Sequence, residues 1–330
     1  MIRFILRRIF HAAVLAFVIV TVTFVVIHLA PGDPATRFYS PEIDPRVMEA
    51  VRGQLGLDRP LPVQYAKVVT SFLHGDFGVS LSSHRPVSDV LGEAVPRTLQ
   101  LTALALLLQI GLGLALGMLS AFKRHGRVDG VFSIASLVLY SIPSFYLAYF
   151  LIAVFSLELR WLPSASMSSV DSLDAGFATV LIDRLRHLVL PVGVLAIGSA
   201  AAFARFARGS LLDVIGQDFV RTARAKGLGE RAVIWKHVLK NALPQMVTVI
   251  GLSIPFLLGG AVIVEKIFAW PGMGSLLVDS IYARDYPVVL AVNLIAGLMV
   301  VLGNLLADLS YAWVDPRMAL HKDTRAPARL

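Results

Sequence analysis

DFVRTARAKGLGERAVIWKHVLKNALP, residues Asp218 to Pro244, is a basic, glycine-punctuated, helix-forming stretch set between two long apolar runs. Apolar spans flank it so closely that it sits at a membrane face. Between Arg205 and Lys240 there are eight Lys or Arg against three Asp or Glu, an excess that marks this face as cytoplasmic. Within it, Ala223 and Gly227 are four apart and are expected to share a helix face that gives a partner room to approach. Gly227 and Gly229 then permit a sharp turn. Beyond the turn, Ala232, Trp235, Leu239, Ala242 and Leu243 form one apolar stripe, with Lys236, His237 and Lys240 elsewhere, as in a helix lying in the membrane interface. The stretch reads as a docking surface for a cytosolic partner.

The rest of the chain agrees with that placement. Of 330 residues, 56% are hydrophobic and only 16% charged, whereas soluble domains run nearer a quarter charged. The formal charge of +8 does not point to nucleic acid, because the basic residues alternate by loop instead of forming one stripe with aromatics. No cysteine is present, which rules out disulfides and thiolate metal sites.

Apolar runs near the ~20 residues needed to cross hydrocarbon occur at about 9–30, 98–122, 131–156, 187–207, 245–266 and 288–310, predicting an all-α polytopic membrane protein of six transmembrane helices. The first is too long for a signal peptide and is anchored by Arg3, Arg7 and Arg8. The fourth is the weakest, interrupted by Pro191, Gly193 and Gly198. Segments assigned inside hold 18 Lys or Arg and 7 Asp or Glu, those outside 12 and 15, so both termini are expected in the cytoplasm. The outside segment 31–97 carries turn signals at Pro31–Pro34, Asp58–Pro62 and Gly75–Gly78, with helical composition at 46–54 and 64–72, so a small external subdomain is expected.

The stretch RTARAKGLGERAVIWKHVLKNALP resembles the cytoplasmic coupling loop of binding-protein-dependent ABC importer permeases, closest to the dipeptide and oligopeptide branch. PGDP after the first span, LGLDRPLPVQY at Leu55–Tyr65, GDFGVS at Gly75–Ser80, PRTLQLT at Pro96–Thr102, FAWPGMG at Phe268–Gly274 and NLLADLSYAWVDPR at Asn304–Arg317 extend the likeness almost end to end. The general motif's Glu-Ala-Ala is here Arg221, Thr222, Ala223, and its later proline is not matched near Lys240. The resemblance implies a type I (MetI-like) transmembrane domain at 98–315 with its coupling loop at 208–243. Residues 1–30 would be the anchor and first span, 31–97 extracytoplasmic, and 316–330 a cytoplasmic tail. It also implies a multi-pass protein of the inner membrane that pairs with a second, homologous permease subunit. Two cytosolic ATP-binding subunits would dock on Arg221, Thr222, Ala223, Arg224, Ala225, Lys226, Gly227, Leu228 and Gly229, with Gly227 the tightest contact. An extracytoplasmic solute-binding protein would deliver the solute. The chain has no Gly-x-x-x-x-Gly-Lys-Ser/Thr loop, so ATP and Mg are expected on the partners and no cofactor on this chain. Relatives of similar sequence carry peptides, nickel chelates, glutathione and some sugars; a peptide-like solute is expected here.

For the pathway, Asn293, Gly297, Asn304 and Asp308 share one stripe of the last span, suited either to packing or to lining a passage. Gln109, Gly113 and Gly117 in the second span read as close packing. Pro143, Pro191 and Pro255 interrupt three spans, which frees carbonyls or supplies hinges. His28, His74, His84, His125, His187 and His237 have no ligand spacing, so no metal is expected. An ion-coupled secondary transporter would need central intramembrane charges, and a membrane enzyme paired catalytic groups; Glu265 and Asp308 are isolated edge residues that fit neither.

Overall fold

The computed structural model describes residues 2–29, 58–124, 126–170 and 176–314. Among these the architecture is all-helical, with one isolated antiparallel bridge between Val79 and Pro86. In chain order the helices are α1 (Ile2–Leu29), α2 (Leu61–Leu73), α3 (Val87–Phe122), α4 (Arg127–Ser141), α5 (Ser144–Leu151), α6 (Phe177–Ile215), α7 (Asp218–Ala225), α8 (Lys240–Ile267), α9 (Met273–Tyr282) and α10 (Tyr286–Val314). Helices dominate because backbone polar groups in hydrocarbon must be paired within the segment itself.

Among the described residues, five helical stretches are long and apolar enough to cross a membrane: Phe10–Leu29, Val87–Phe122, Phe177–Ile215, Glu230–Gly259 and Tyr286–Leu306. The sixth predicted run, 131–156, is a pair, Asp129–Ser141 and Ser144–Glu158, bent by 100°. Pro143 makes the break: it caps α5 with ψ 138, and Ile142 before it is extended at φ −74, ψ 123, the region into which a following proline pushes its neighbour. The other two prolines behave otherwise. Pro191 and Pro255 lie inside unbroken α6 and α8, so neither interrupts its span, and Pro191 is buried. The fourth span, expected to be weakest, is the longest helix described, at 39 residues. At 1.5 Å per residue it reaches about 58 Å, well past a hydrocarbon core of about 30 Å.

By contacts the chain divides into two units, Met1–Leu99 with Trp270–Val301, and Gln100–Ala269 with Leu302–Leu330. In the first unit α2 supplies one of the helices expected outside; its counterpart at 46–54 lies outside the described residues. The Tyr65 ring of α2 meets Phe24 edge-on at 5.3 Å, and His28 Nε2 lies 3.3 Å from Gln64 Oε1, fixing α2 along α1. The GDFGVS motif is a double left-handed turn, with Gly75 at φ 76 and Gly78 at φ 78. It presents Ser80 to Asp285, a buried carboxylate that accepts from Ser80 Oγ at 2.6 Å, Ser82 N at 3.0 Å and Leu81 N at 3.1 Å. Three donors on one carboxylate compensate its burial and tie the loop to the start of α10. In the FAWPGMG motif, Trp270 is fully buried and donates Nε1–H to the Arg97 carbonyl at 3.1 Å, while Met273 N–H donates to Thr98 Oγ1 at 2.7 Å.

The second unit is organised on α6, which packs against both α4 and α8. Its small residues Ala200, Ala204 and Ala207 are buried against α3. A methyl added at Gly117 would sit 2.8 Å from the Ala204 carbonyl oxygen and 2.9 Å from Ala207 Cβ; one at Gly113 would sit 2.6 Å from Phe203 Cδ1 and 3.1 Å from the Ala200 carbonyl oxygen. The expected close packing therefore holds for both glycines. At the same helix ends, Arg208 of α6 grips Asp129 of α4 with two bonds of 2.7 Å, from Nε and from Nη2. Ser120 Oγ of α3 donates to the same carboxylate. These three residues lie on three helices, and the sequence assigned both charges to loops.

Gly117→Val forces α3 away from the α6 backbone, which cannot rotate aside as a side chain can. An overpacking cost of ~1–3 kcal/mol is expected, read as a lower unfolding temperature of the detergent-solubilised protein. Gly111→Ala, whose added methyl meets nothing within 4 Å, is the matched control and stays at the native value.

Candidate functional site: the coupling segment and the intramembrane cavity

The segment after α6 is built around one turn. Helix α7 is amphipathic, with Val220 and Ala223 buried and Arg221, Thr222, Arg224 and Ala225 exposed. It ends in a Schellman cap: Gly227 N–H donates to the Arg224 carbonyl at 2.9 Å and Leu228 N–H to the Ala223 carbonyl at 3.4 Å. This geometry puts Gly227 at φ +79, a left-handed conformation that glycine adopts freely and most other residues only with strain. The chain then re-enters helix at Glu230, and Arg224 closes the turn with bonds to Glu230 of 2.7 Å and 3.2 Å. Their hydrogen bond is the largest effect; it outweighs desolvation and, with a weaker attraction of opposite charges, holds the Glu230 carboxyl below the usual range and the Arg224 guanidinium above its own. A carboxylate whose folded pKa is lowered stabilises the turn above the ordinary glutamate range, and that contribution is lost as pH falls through the lowered value. In so exposed a pair it is small.

Two expectations change. Gly227 does not continue the helix face of Ala223, because the Schellman turn has already ended the helix. Ala223 is 4% exposed and faces the chain's own core of Val220, Val233, Val238 and Ala242, so it supports the turn and offers no surface to a partner. Of the stretch expected to dock a partner, Arg221, Thr222, Arg224, Ala225, Lys226, Gly227, Leu228 and Gly229 are exposed, and so is Phe219, which the sequence pattern did not single out. An aromatic left exposed on an amphipathic helix was the available signal.

The helix beyond the turn also departs from expectation. Val233–Leu239 is a π-helical stretch, and its wider turn aligns residues five apart, so Val233 and Val238 are buried while Trp235 is 60% exposed. Leu239 and Ala242 remain on the buried side, as the stripe predicted.

In the same unit, the break at Ile142–Pro143 opens a cavity of about 680 Å³ lined by residues of α3, α4, α5, α6 and α8, among them Gln109, Tyr140, Pro143, Ser199 and Ser253. Irregular backbone at membrane depth occurs where it lines such a space. Of the residues expected on a pathway, Pro143 lines this cavity. Gly297 is a packing glycine instead, with the Ile19 side chain of α1 filling the place of its missing side chain. Asn293 and Asn304 are half-buried on α10, and neither they nor Pro255 line the cavity. Gln109, assigned to packing with its glycines, lines it.

The family model described as "Binding-protein-dependent transport system inner membrane component" matches residues 113–320, and the model of its N-terminal region matches residues 1–102. The chain belongs to this family. The permease is 40% identical over 316 residues to the oligopeptide transport system permease protein AppB of Bacillus subtilis, covering 96% of this chain and 98% of that one. It is 40% identical, with the same coverage, to the glutathione transport system permease protein GsiC of Escherichia coli K12. A solved structure of inward-facing conformations of the MetNI methionine ABC transporter matches with a TM-score of 0.54 at 20% identity, over 68% of this chain and 96% of that one, which shows the shared fold. The permease is thus a multi-pass inner-membrane component of a binding-protein-dependent transport system, and its family is one of transport proteins, not enzymes.

Replacing Gly227 with valine strains the left-handed residue and opens the Schellman turn. Hydrogen exchange at the Gly227 and Leu228 amides is expected to accelerate by roughly 5- to 30-fold, from a cost of ~1–2 kcal/mol. Asparagine, which tolerates this conformation, stays within about 3-fold of the native rate.

Proposed function

We propose that the permease imports a peptide-like solute as one of two related membrane subunits. ATP is hydrolysed on two cytosolic subunits, and the solute arrives on an extracytoplasmic binding protein. The observation that carries the reading is the exposed turn Arg221–Gly229, closed by its own cap and backed by the buried Val220, Ala223, Val233 and Val238. A segment braced in this way transmits displacement instead of absorbing it. The long α6 runs directly into it, and Arg208, about two turns before the end of that helix, is clamped to Asp129 of α4. Movement of a docked ATPase would therefore be passed through α6 to α4 and to the broken span that lines the cavity. In this reading both termini and the coupling turn are cytoplasmic, consistent with the basic excess of those segments. The peptide-like solute rests on the likeness to AppB and GsiC.

Phe219 and Leu228 are the apolar anchors that a partner's groove would bury, with Arg221, Arg224 and Lys226 as the rim. The double variant Phe219→Asp, Leu228→Asp should insert and assemble with the second permease. It should lose the ATPase pair in pull-downs by at least about 10-fold, and with it the binding-protein-stimulated ATP hydrolysis of the reconstituted complex. Full retention of both by the double variant contradicts the docking assignment.

A further inference from the structure

A second hollow of the same unit, about 700 Å³ in volume, lies between α3, α4 and α6. Apart from Ser120, Ser136 and Arg127, every residue that lines it is apolar. Both serine hydroxyls are already committed: Ser120 Oγ donates to the Asp129 carboxylate and Ser136 Oγ to the Ser133 carbonyl at 3.1 Å. Leu112, Leu116, Leu119 and Val131 on its sides are exposed, on helices whose apolar runs put them at membrane depth. Along α4 the lining runs from Val131 to Leu139, about 12 Å at 1.5 Å per residue. The volume falls in the ~300–1,000 Å³ range of small-molecule sites, and a slot with no hydroxyl hydrogen to offer suits a hydrocarbon chain.

One end of this slot is basic. Arg127, the first residue of α4, lines it, and Lys123 and Arg124 sit in the tight turn that joins α3 to α4, closed by Gly126 N–H on the Lys123 carbonyl at 3.1 Å. All three basic residues are exposed, and among the described residues none of their side chains is held in a hydrogen bond or an ion pair. Between residues 94 and 157 the chain has one acidic residue, Asp129, and Arg208 already grips it. Three unmatched cations are therefore gathered at the end of an apolar slot, on the side of the unit where α6 leads into the coupling turn.

We propose that this groove is a site for one anionic phospholipid, whose acyl chain fills the slot and whose phosphate lies on Arg127 with Lys123 and Arg124 beside it. Charge selects lipid as the occupant. A phospholipid carries its anion where its hydrocarbon ends, which is the order of groups that this groove presents, and basic pockets between spans on the cytoplasmic side bind such headgroups. A helix of the second permease laid in the slot leaves the three cations without an anion unless it brings acids to that same depth. Ser120 lines the slot and also bonds the carboxylate that Arg208 holds, so a seated lipid braces the junction of α3, α4 and α6 above the coupling turn. The site does not depend on which solute is carried.

The test uses the assembled transporter, both permeases with the ATPase pair, in nanodiscs of phosphatidylcholine. These are doped with phosphatidylglycerol carrying a diazirine near the end of one acyl chain, or with a phosphatidylcholine probe of the same chains. After illumination, adducts on this permease are mapped by peptide mass spectrometry. The phosphatidylglycerol probe should label 112–120 and 131–139 saturably and at least about 5-fold more than the phosphatidylcholine probe, and unlabelled phosphatidylglycerol should compete it away. Arg127→Gln should lower that labelling by roughly 5-fold. Ala135→Trp, which fills the slot from α4, should abolish it while adducts on the rest of the membrane surface persist. Equal labelling by the two probes in the native complex, or a native level in Arg127→Gln, overturns the proposal. The native measurement decides even where a variant does not assemble. A disulfide between Ala135→Cys and a cysteine placed on the second permease, with no lipid adduct in the slot, assigns the groove to the contact between subunits and overturns the proposal as well.

Discussion

The close approach of α3 to α6 is the constraint on which the second unit turns. Gly113 and Gly117 lie under the carbonyl oxygens of Ala200 and Ala204 with no room for a methyl group, so the register of one helix on the other is fixed to within one residue. In a membrane, where lipid is as apolar as leucine and burial drives little, such contact between small residues is a main source of helix association. Fixing α6 in turn fixes three things along its length. Its middle forms one wall of the cavity, its last turns hold Arg208 against Asp129, and its end leads into α7 and the capped turn.

Charge is used sparingly and where it can be matched. The Arg208–Asp129–Ser120 cluster joins α6, α4 and α3 with the carboxylate 7% exposed and fully hydrogen-bonded. Breaking such a pair from one side leaves a buried charge uncompensated, which is far more costly than the pair is stabilising. In the first unit Asp285 has the same role with backbone donors, and it explains why GDFGVS has glycines at its two left-handed positions and serine at its end. The cavity, in contrast, has no charged residue along its lining.

Much of this was legible in the sequence, and the failures have physical causes. Five of the six apolar runs fall on single helices and the sixth, 131–156, on a bent helical pair, because length and hydropathy decide insertion but not where a span breaks. The coupling stretch was visible from its charge and its glycines, yet two details escaped. A Schellman turn and a continued helix share the same residues up to Lys226, and only the sign of φ at Gly227 separates them. The burial of Val233 and Val238 in place of Trp235 required a π-helical stretch, and no simple periodicity marks one. Prolines were misleading for a related reason. A proline removes one backbone hydrogen bond wherever it sits, but whether the helix breaks depends on the ψ of the preceding residue, which tertiary packing sets. Ile142 is extended, whereas the helices at Pro191 and Pro255 continue. Gln109 was grouped with its glycines because spacing alone cannot say that a carboxamide four residues before a packing glycine bonds across to Ser253 of α8.

The central claim is that the capped turn at Arg221–Gly229 is the cytoplasmic contact through which ATP hydrolysis reaches the membrane helices. The chain has no cysteine of its own, so Lys226→Cys provides a single reporter on that turn. In inside-out vesicles holding the assembled transporter, disulfide crosslinking of this cysteine to single cysteines along the surface of the ATPase subunit measures the contact directly. The account predicts a crosslink at one defined groove of the ATPase, with a yield that changes between the nucleotide-free and ATP-bound states. Labelling of the same cysteine by a membrane-impermeant reagent added outside intact cells, with no crosslink in either state, would contradict it.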